Sequence, residues 1–230
     1  MSEKFHGRVK ALIFDLDGTL IDSKRDLVQS VNATLQEMRR GELPEELVAS
    51  YVGSGAPVLI SRALGGAAEP EERQRALKFF LAHYEEHKLD CTKLYPGVRE
   101  TLEELRGAPM AVLTNKPVHI SVRILEELGV AEFFRAIYGG NSFATKKPDP
   151  LGASTVLGEL GVASAQAAMV GDSEVDVQTA RNAGMISAIV NFGFGAHDRS
   201  QYPADFYIDR MEELVPLVRD GGAAARNNIG

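Results

Sequence analysis

Cysteine is almost absent. Cys91 stands alone in 230 residues, so no internal disulfide can staple the chain, and stability must come from a buried core. A chain of this length can build one, with room for a second, smaller module. A lone thiol fits a reducing compartment, and with no histidine motif framing it, Cys91 reads as a spectator. Positive charge is also in deficit: 25 Lys and Arg face 32 Asp and Glu, for a net charge of −7. That argues against a general nucleic-acid binder, which needs a basic face. It leaves room for a small anionic substrate, because a site can be locally positive inside an acidic protein. No apolar run approaches the roughly 20 residues needed to cross a bilayer, and the polar segment Met1–Lys10 lacks the apolar stretch of a signal peptide. The expectation is a cytoplasmic protein without membrane or nucleic-acid partners, a monomer or a homodimer. Repeats are missing too. The only biased stretch is Gly221–Gly230 (GGAAARNNIG), which reads as a disordered tail.

What is present alternates. Short apolar runs rich in β-branched residues cover Val9–Phe14, Met110–Leu113, Ala136–Tyr138, Ala168–Val170 and Ile186–Val190, with a weaker one at Phe206–Ile208. Helical spacing predicts helices over Val98–Leu105, Val118–Leu128, Leu151–Leu160 and Val175–Ala183. Gly129, Gly161 and Gly184 sit where three of them should stop. Such alternation predicts an α/β fold, a doubly wound, Rossmann-like parallel sheet covered on both faces. The span from about Asp22 to Tyr95 is different: Lys24–Met38, Glu45–Tyr51, Pro57–Leu64 and Glu71–His87 read as helix after helix, with no strand between them. The predicted division is an α/β core of residues 1–21 and 96–220, with an inserted all-helical cap of residues 22–95.

In open α/β sheets, ligands bind outside the carboxyl ends of the strands. The residues that follow each apolar run are therefore the ones to inspect. Asp15, Leu16, Asp17, Gly18 and Thr19 follow the first. Thr114, Asn115 and Lys116 follow Met110–Leu113, a loop ending in Lys146, Lys147 and Pro148 follows Ala136–Tyr138, and Gly171, Asp172, Ser173 and Asp176 follow Ala168–Val170. Carboxylates, a hydroxyl and a lysine on one rim suit phosphoryl transfer. Hydrolysis of a phosphate monoester needs up to roughly 10²¹-fold acceleration, and general acid–base help supplies only about 10²–10⁴-fold. The remainder must come from a positioned nucleophile and charge neutralisation. A carboxylate does not approach an anionic phosphate unless a cation screens it. Asp15 and Asp172 suit Mg²⁺, which takes few carboxylates and keeps several waters.

These four segments resemble, in order, the four motifs of the haloacid dehalogenase superfamily: Asp15-Leu16-Asp17-Gly18-Thr19, Leu113-Thr114-Asn115-Lys116, Lys147-Pro148-Asp149-Pro150 and Gly171-Asp172-Ser173-Glu174-Val175-Asp176. The resemblance implies Asp15 as nucleophile, and Asp17 as the group that protonates the leaving oxygen, then activates water, and lends its backbone carbonyl to the metal. It further implies Thr114 and Asn115 at the phosphate, Lys147 as the neutralising cation, and Asp172 as a direct magnesium ligand. Asp176 would support the metal through water or a hydrogen bond, and the helical insert would be the cap such proteins carry between their first two motifs.

Several residues also have structural readings. Ser173 to Asp176 and Ser23 to Asp26 both fit helix-starting capping boxes. Asp149 before Pro150 fits an N-cap, so Asp149 is left out of the site. His83 and His87, four apart, read as a helix face without a third metal ligand. Phe79, Phe80 and Tyr84 read as cap core, and Phe192–Gly195 as a loop near the seam between core and cap. Within the cap, Gly53-Ser54-Gly55 before a helix that reaches Arg62 offers backbone N–H groups and a positive charge to an anion. The segment Tyr51–Leu64, with Tyr95-Pro96-Gly97-Val98, resembles phosphoglycolate phosphatases. The implied substrate is a small phosphorylated metabolite such as 2-phosphoglycolate, with Gly53, Ser54, Gly55 and Arg62 as its cap contacts. Alternatives are a sugar-phosphate mutase of the β-phosphoglucomutase type, a nucleotide or pyrophosphate phosphatase, and a phosphoacceptor signalling module. That last class needs about half this length and no helical insert.

Overall fold

The structure, a computed structural model, describes residues 8–66, 68–195 and 197–218; the predicted tail Gly221–Gly230 lies outside them. Six strands form one parallel sheet in the order β5-β4-β1-β6-β7-β8. They are β1 Ala11–Phe14, β4 Met110–Leu113, β5 Ala136–Tyr138, β6 Ala167–Gly171, β7 Ile186–Val190 and β8 Phe206–Ile208. Strands β1, β4, β6 and β7 are buried along their whole length. This is why they read as unbroken apolar runs rather than alternating ones.

The two-residue period still sorts their side chains. Leu12, Phe14, Val112 and Val170 join one buried cluster with Leu102 and Ile124 of helices α5 (Val98–Glu104) and α6 (Val118–Glu127). Ala11, Ile13, Ala111 and Met169 join a second with Ala153, Val156 and Ala180 of α7 (Pro150–Leu160) and α8 (Glu174–Ala183). The result is helix, sheet, helix. Chain order reverses at β1, with β4 on one side and β6 on the other. Such a reversal leaves a crevice beyond the carboxyl ends of the strands, and Asp15 is the first residue after β1.

Between β1 and α5 lies the helical segment: α1 Lys24–Glu37, α2 Glu45–Ala49, α3 Ala56–Ala63 and α4 Pro70–His87. Its heart is one stripe on α4, where Ala76, Phe80 and Tyr84 are buried at four-residue spacing. This stripe and α3 pack beside Leu27, Val31 and Leu35 of α1. The sequence reading placed no strand in this span, and that is corrected. Lys93–Leu94 (β3) pairs antiparallel with Ile21–Asp22 (β2), Ile21 opposite Leu94 and Asp22 opposite Lys93. Two residues per strand are too few to show a period. The ribbon brings the entry and exit of the helical segment together.

The Ser23–Asp26 capping box does not form either. Asp26 is fully buried and its Oδ2 accepts from Cys91 N (3.0 Å), Thr92 N (2.8 Å) and Thr92 Oγ1 (2.7 Å), tying α1 to the returning chain. Among the described residues, no helix is long and apolar enough to cross a membrane.

Candidate active site

Asp15 is held in register with the sheet, since its N–H donates to Val170 O at 2.8 Å. The chain then turns sharply, with Thr19, Leu20 and Ile21 N–H groups all donating to Leu16 O. Gly18 makes the turn possible. Its φ is +79°, and a Cβ there would lie 1.9 Å from Asp172 Oδ2, so no larger residue fits.

Lys147 bridges the acidic groups. Its Nζ is 2.7 Å from Asp176 Oδ1 and 2.9 Å from Asp15 Oδ1. The contact with Asp15 is an ion pair off the hydrogen-bonding directions, so that buried oxygen has no directed hydrogen bond. Asp176 is the N3 residue of α8, and its Oδ2 accepts from Ser173 N (3.1 Å) and Ser173 Oγ (2.7 Å). The capping-box reading and the site reading thus both describe it: one oxygen caps the helix and the other holds Lys147. Asp172 rests against the loop after β7, its Oδ2 accepting from Phe194 N (3.0 Å) and Gly195 N (2.6 Å).

Three buried carboxylates against one ammonium leave the site short of positive charge. Burial, and then repulsion from Asp176, raises Asp15 from 3.8 to about 6 despite Lys147. Burial and the charges of Asp176 and Asp15 push Asp172 well above the ordinary carboxylate range. Burial works against charge on Lys147, but Asp15 and Asp176 outweigh it, and its pKa is raised. Asp15, Asp172 and Asp176 each offer an oxygen within 4.8 Å of the others. The donors are all oxygens, and Asp15 Oδ1 lacks a directed partner. That chemistry fits a hard divalent cation such as magnesium.

The charge deficit has a measurable consequence. Because the folded-state pKa of Asp15 lies above 3.8, the fold binds its proton more tightly than the unfolded chain does. This stabilisation is fully present below pH 3.8 and is lost as pH rises to about 6, worth on the order of 3 kcal/mol. Metal-free protein should therefore melt at lower temperature at pH 7 than at pH 5, and Asp15→Asn should flatten much of that fall. Parallel melting curves for the two proteins would contradict it.

Asp17 belongs to a second network. Its Oδ1 accepts from Ser23 Oγ (2.5 Å) and Lys116 Nζ (2.8 Å), and Oδ2 lies 3.1 Å from the same ammonium. Lys116 in turn donates to Tyr84 Oη at 2.6 Å. Tyr84 does pack in the helical core, stacked on Phe80, but its hydroxyl also reaches the site. Thr114 is buried on the rim, as predicted from its place after β4.

Asn115 lies in the lining of the cavity described below, and its side chain also has structural partners. Its Nδ2 donates to Gly53 O (2.9 Å) and Lys147 O (3.1 Å), and its Oδ1 accepts from Lys147 N (3.0 Å). The amide clamps the turn of the helical segment to the Lys147 loop, and both its ends are occupied. A cavity lies between the sheet edge and the helical segment, in which the centre of a water-sized sphere sweeps about 50 Å³. Asp15, Asp17, Thr114, Lys116 and Asp172 line it, as do Gly53 and Gly55. Gly55, at φ +86°, lets the turn pass close to Asn115 O. Ser54 and Arg62 are not among the lining residues. Arg62 is exposed in the last turn of α3, away from the helix start that faces the cavity, so the predicted cap cation is corrected.

The sequence points to no part in the site for Lys116, Tyr84, Ser23 or the Phe194–Gly195 backbone: Tyr84 reads as helical core, Ser23 as a cap and Phe192–Gly195 as a loop near the seam. A signal existed for the loop, since Phe192–Gly195 follows the end of β7 on the same rim. Lys116 is marked only by its place after β4, and its pairing with Asp17 and Tyr84 spans 99 and 32 residues; Ser23 lies only six residues from Asp17, but its helix-start position points to a cap.

A family model described as haloacid dehalogenase-like hydrolase matches residues 12–190. The chain is 40% identical over 227 residues to a phosphoglycolate phosphatase of Pseudomonas savastanoi pv. phaseolicola, covering 94% of this chain and 82% of that protein. It is 37% identical to a phosphoglycolate phosphatase of Chromobacterium violaceum, covering 93% of this chain and 98% of that one. A crystal structure of a predicted phosphoglycolate phosphatase from Haemophilus somnus 129PT superposes with a TM-score of 0.87 at 32% identity, over 92% of this chain and 99% of that chain.

Proposed function

The chain belongs to the haloacid dehalogenase-like hydrolases and is a phosphatase; from that premise we propose that it hydrolyses 2-phosphoglycolate through a magnesium-dependent aspartyl-phosphate on Asp15. The observation that carries the mechanism is the placement of Asp15 at the switch point of the sheet, beside Lys147 and within the Asp172–Asp176 cluster. The names of the relatives and the small size of the cavity support the substrate. A volume of this size suits a compact metabolite better than a nucleotide. The helical segment 22–95 is assigned as the cap over that cavity.

In this reading an Asp15 carboxylate oxygen attacks phosphorus, and the bond to the substrate's leaving oxygen breaks. Asp17 hands that oxygen a proton, and the free alcohol departs. Asp17 then takes a proton from water, whose oxygen attacks the same phosphorus. The bond between phosphorus and the Asp15 oxygen breaks, which returns the carboxylate and releases phosphate. Thr114 and Lys147 hold the non-bridging oxygens. Asp176 keeps Lys147 in place, with both its oxygens already engaged. Asp15, Asp172 and the Asp17 backbone carbonyl would hold magnesium, which would supply the charge that lets two anions meet.

Phosphate release should be measured over about a hundred phosphorylated metabolites with magnesium present. The expected result is the highest kcat/KM on 2-phosphoglycolate. A clear preference for a nucleotide or hexose phosphate would replace the substrate, and return of the phosphoryl group to a sugar would replace hydrolysis with a mutase.

A further inference from the structure

Among the described residues that line the cavity, one carries a positive charge. Lys147 stands behind Asp15, off the lining, and Arg62 is outside, so the positive charge among the lining residues is that of Lys116. Lys116 is 6% exposed, and a buried ammonium keeps its charge only with partners. One is Asp17. The other, Tyr84, comes from the helical segment, with its hydroxyl at 2.6 Å and its ring centroid 4.3 Å from Nζ. An ammonium carries three donors, and Asp17 Oδ1, Asp17 Oδ2 and Tyr84 Oη lie within reach of them, so a substrate anion would take the donor that now reaches the more distant oxygen, Asp17 Oδ2 at 3.1 Å. The apolar part of the lining, Leu27, Leu59, Phe80 and Ile120 among it, offers an anion nothing.

We infer that Lys116, held in place by Tyr84, is the specificity residue that binds a carboxylate on the leaving-group side of the substrate. This rests on the reading of the site as that of a phosphatase for a small phosphorylated acid. The side follows from Asp17. As the proton donor to the leaving oxygen, Asp17 sits beside that oxygen, and Lys116 lies 2.8 Å from Asp17 Oδ1. Geometry also limits the reach. The anion must lie within a few bonds of the scissile ester, so a carboxylate one carbon from the ester oxygen fits better than one carried on a longer chain. Tyr84 makes the contact conditional, because the phenol reaches Lys116 only when the helical segment lies against the sheet edge as it does here.

The test compares 2-phosphoglycolate with ethyl phosphate, in which a methyl group replaces the carboxylate. The quantity is the ratio of their kcat/KM values in wild type, Lys116→Met, Lys116→Arg and Tyr84→Phe, with folding checked by thermal melting. Wild type should favour 2-phosphoglycolate. Lys116→Met should lower the ratio about ten- to a hundredfold, as for a lost charge-assisted contact, mainly through KM. Lys116→Arg should recover part of it, and Tyr84→Phe should lower the ratio by a smaller factor. Inhibition by glycolate should weaken in parallel. A wild-type ratio near one would overturn the substrate reading itself. A wild-type preference that survives in Lys116→Met leaves that reading standing and overturns the role of Lys116. Should Lys116→Met fail to fold, an unchanged ratio in both Tyr84→Phe and Lys116→Arg would overturn it instead.

Discussion

Asp15→Asn should reduce phosphate release by more than about 10⁴-fold while leaving the protein folded. The amide is nearly isosteric with the carboxylate but does not attack phosphorus, and without a nucleophile the reaction falls back toward an uncatalysed rate up to roughly 10²¹-fold slower. Folding should survive because the variant removes one of three crowded buried carboxylates, and one whose ionisation the fold resists. Loss of activity with retained or raised melting temperature is thus the specific expectation, distinct from loss through unfolding. Wild-type turnover by Asp15→Asn would remove Asp15 from the chemistry. Asp17→Asn should be milder, about 10²–10⁴-fold, because it removes proton transfer and leaves the nucleophile in place.

Removal of metal should have an effect of similar size. Asp15, Asp172 and Asp176 together carry more negative charge than Lys147 can balance, and an incoming phosphate would add to the excess. A chelator should abolish activity and added Mg²⁺ should restore it. Calcium should substitute poorly, since its longer bonds and looser shell would hold the ligands at other distances. Metal binding should also raise the melting temperature at pH 7, where the uncompensated carboxylates cost the most. Full activity in chelator, with no shift in melting on adding magnesium, would contradict the assignment.

Much of this was legible in the sequence because it is local. Central strands buried on both faces leave unbroken apolar runs, and a carboxylate or hydroxyl directly after such a run is placed on the rim by the fold itself. Asp15, Thr114 and Asp172 were read that way. Helix ends were legible for the same reason: Asp149 caps α7 through Leu151 N, and α7 and α8 stop at Gly161 and Gly184. What was not legible is the pairing of distant side chains. Arg62 attracted attention as the cation after a glycine turn, yet α3 carries it to the exposed end, while Lys116 holds the position beside Asp17. Nor does periodicity show that Tyr84, one of three residues on an apolar stripe, also presents a hydroxyl to the active site. Asn115 is a similar case. Its neighbour Thr114 is a strand-end residue like the others, but the amide's partners, Gly53 O and the Lys147 backbone, lie 62 and 32 residues away.

The central claim is that phosphorus passes through a covalent bond to Asp15, and rapid quenching in acid during turnover tests it most directly. With labelled 2-phosphoglycolate and magnesium, the denatured protein should carry label that is stable to acid and lost in alkali, as an acyl phosphate is. Peptide mapping should place that label on Asp15, and Asp15→Asn should carry none. Rapid turnover with no trapped label in the wild type, or label mapped to any other residue, would contradict the account.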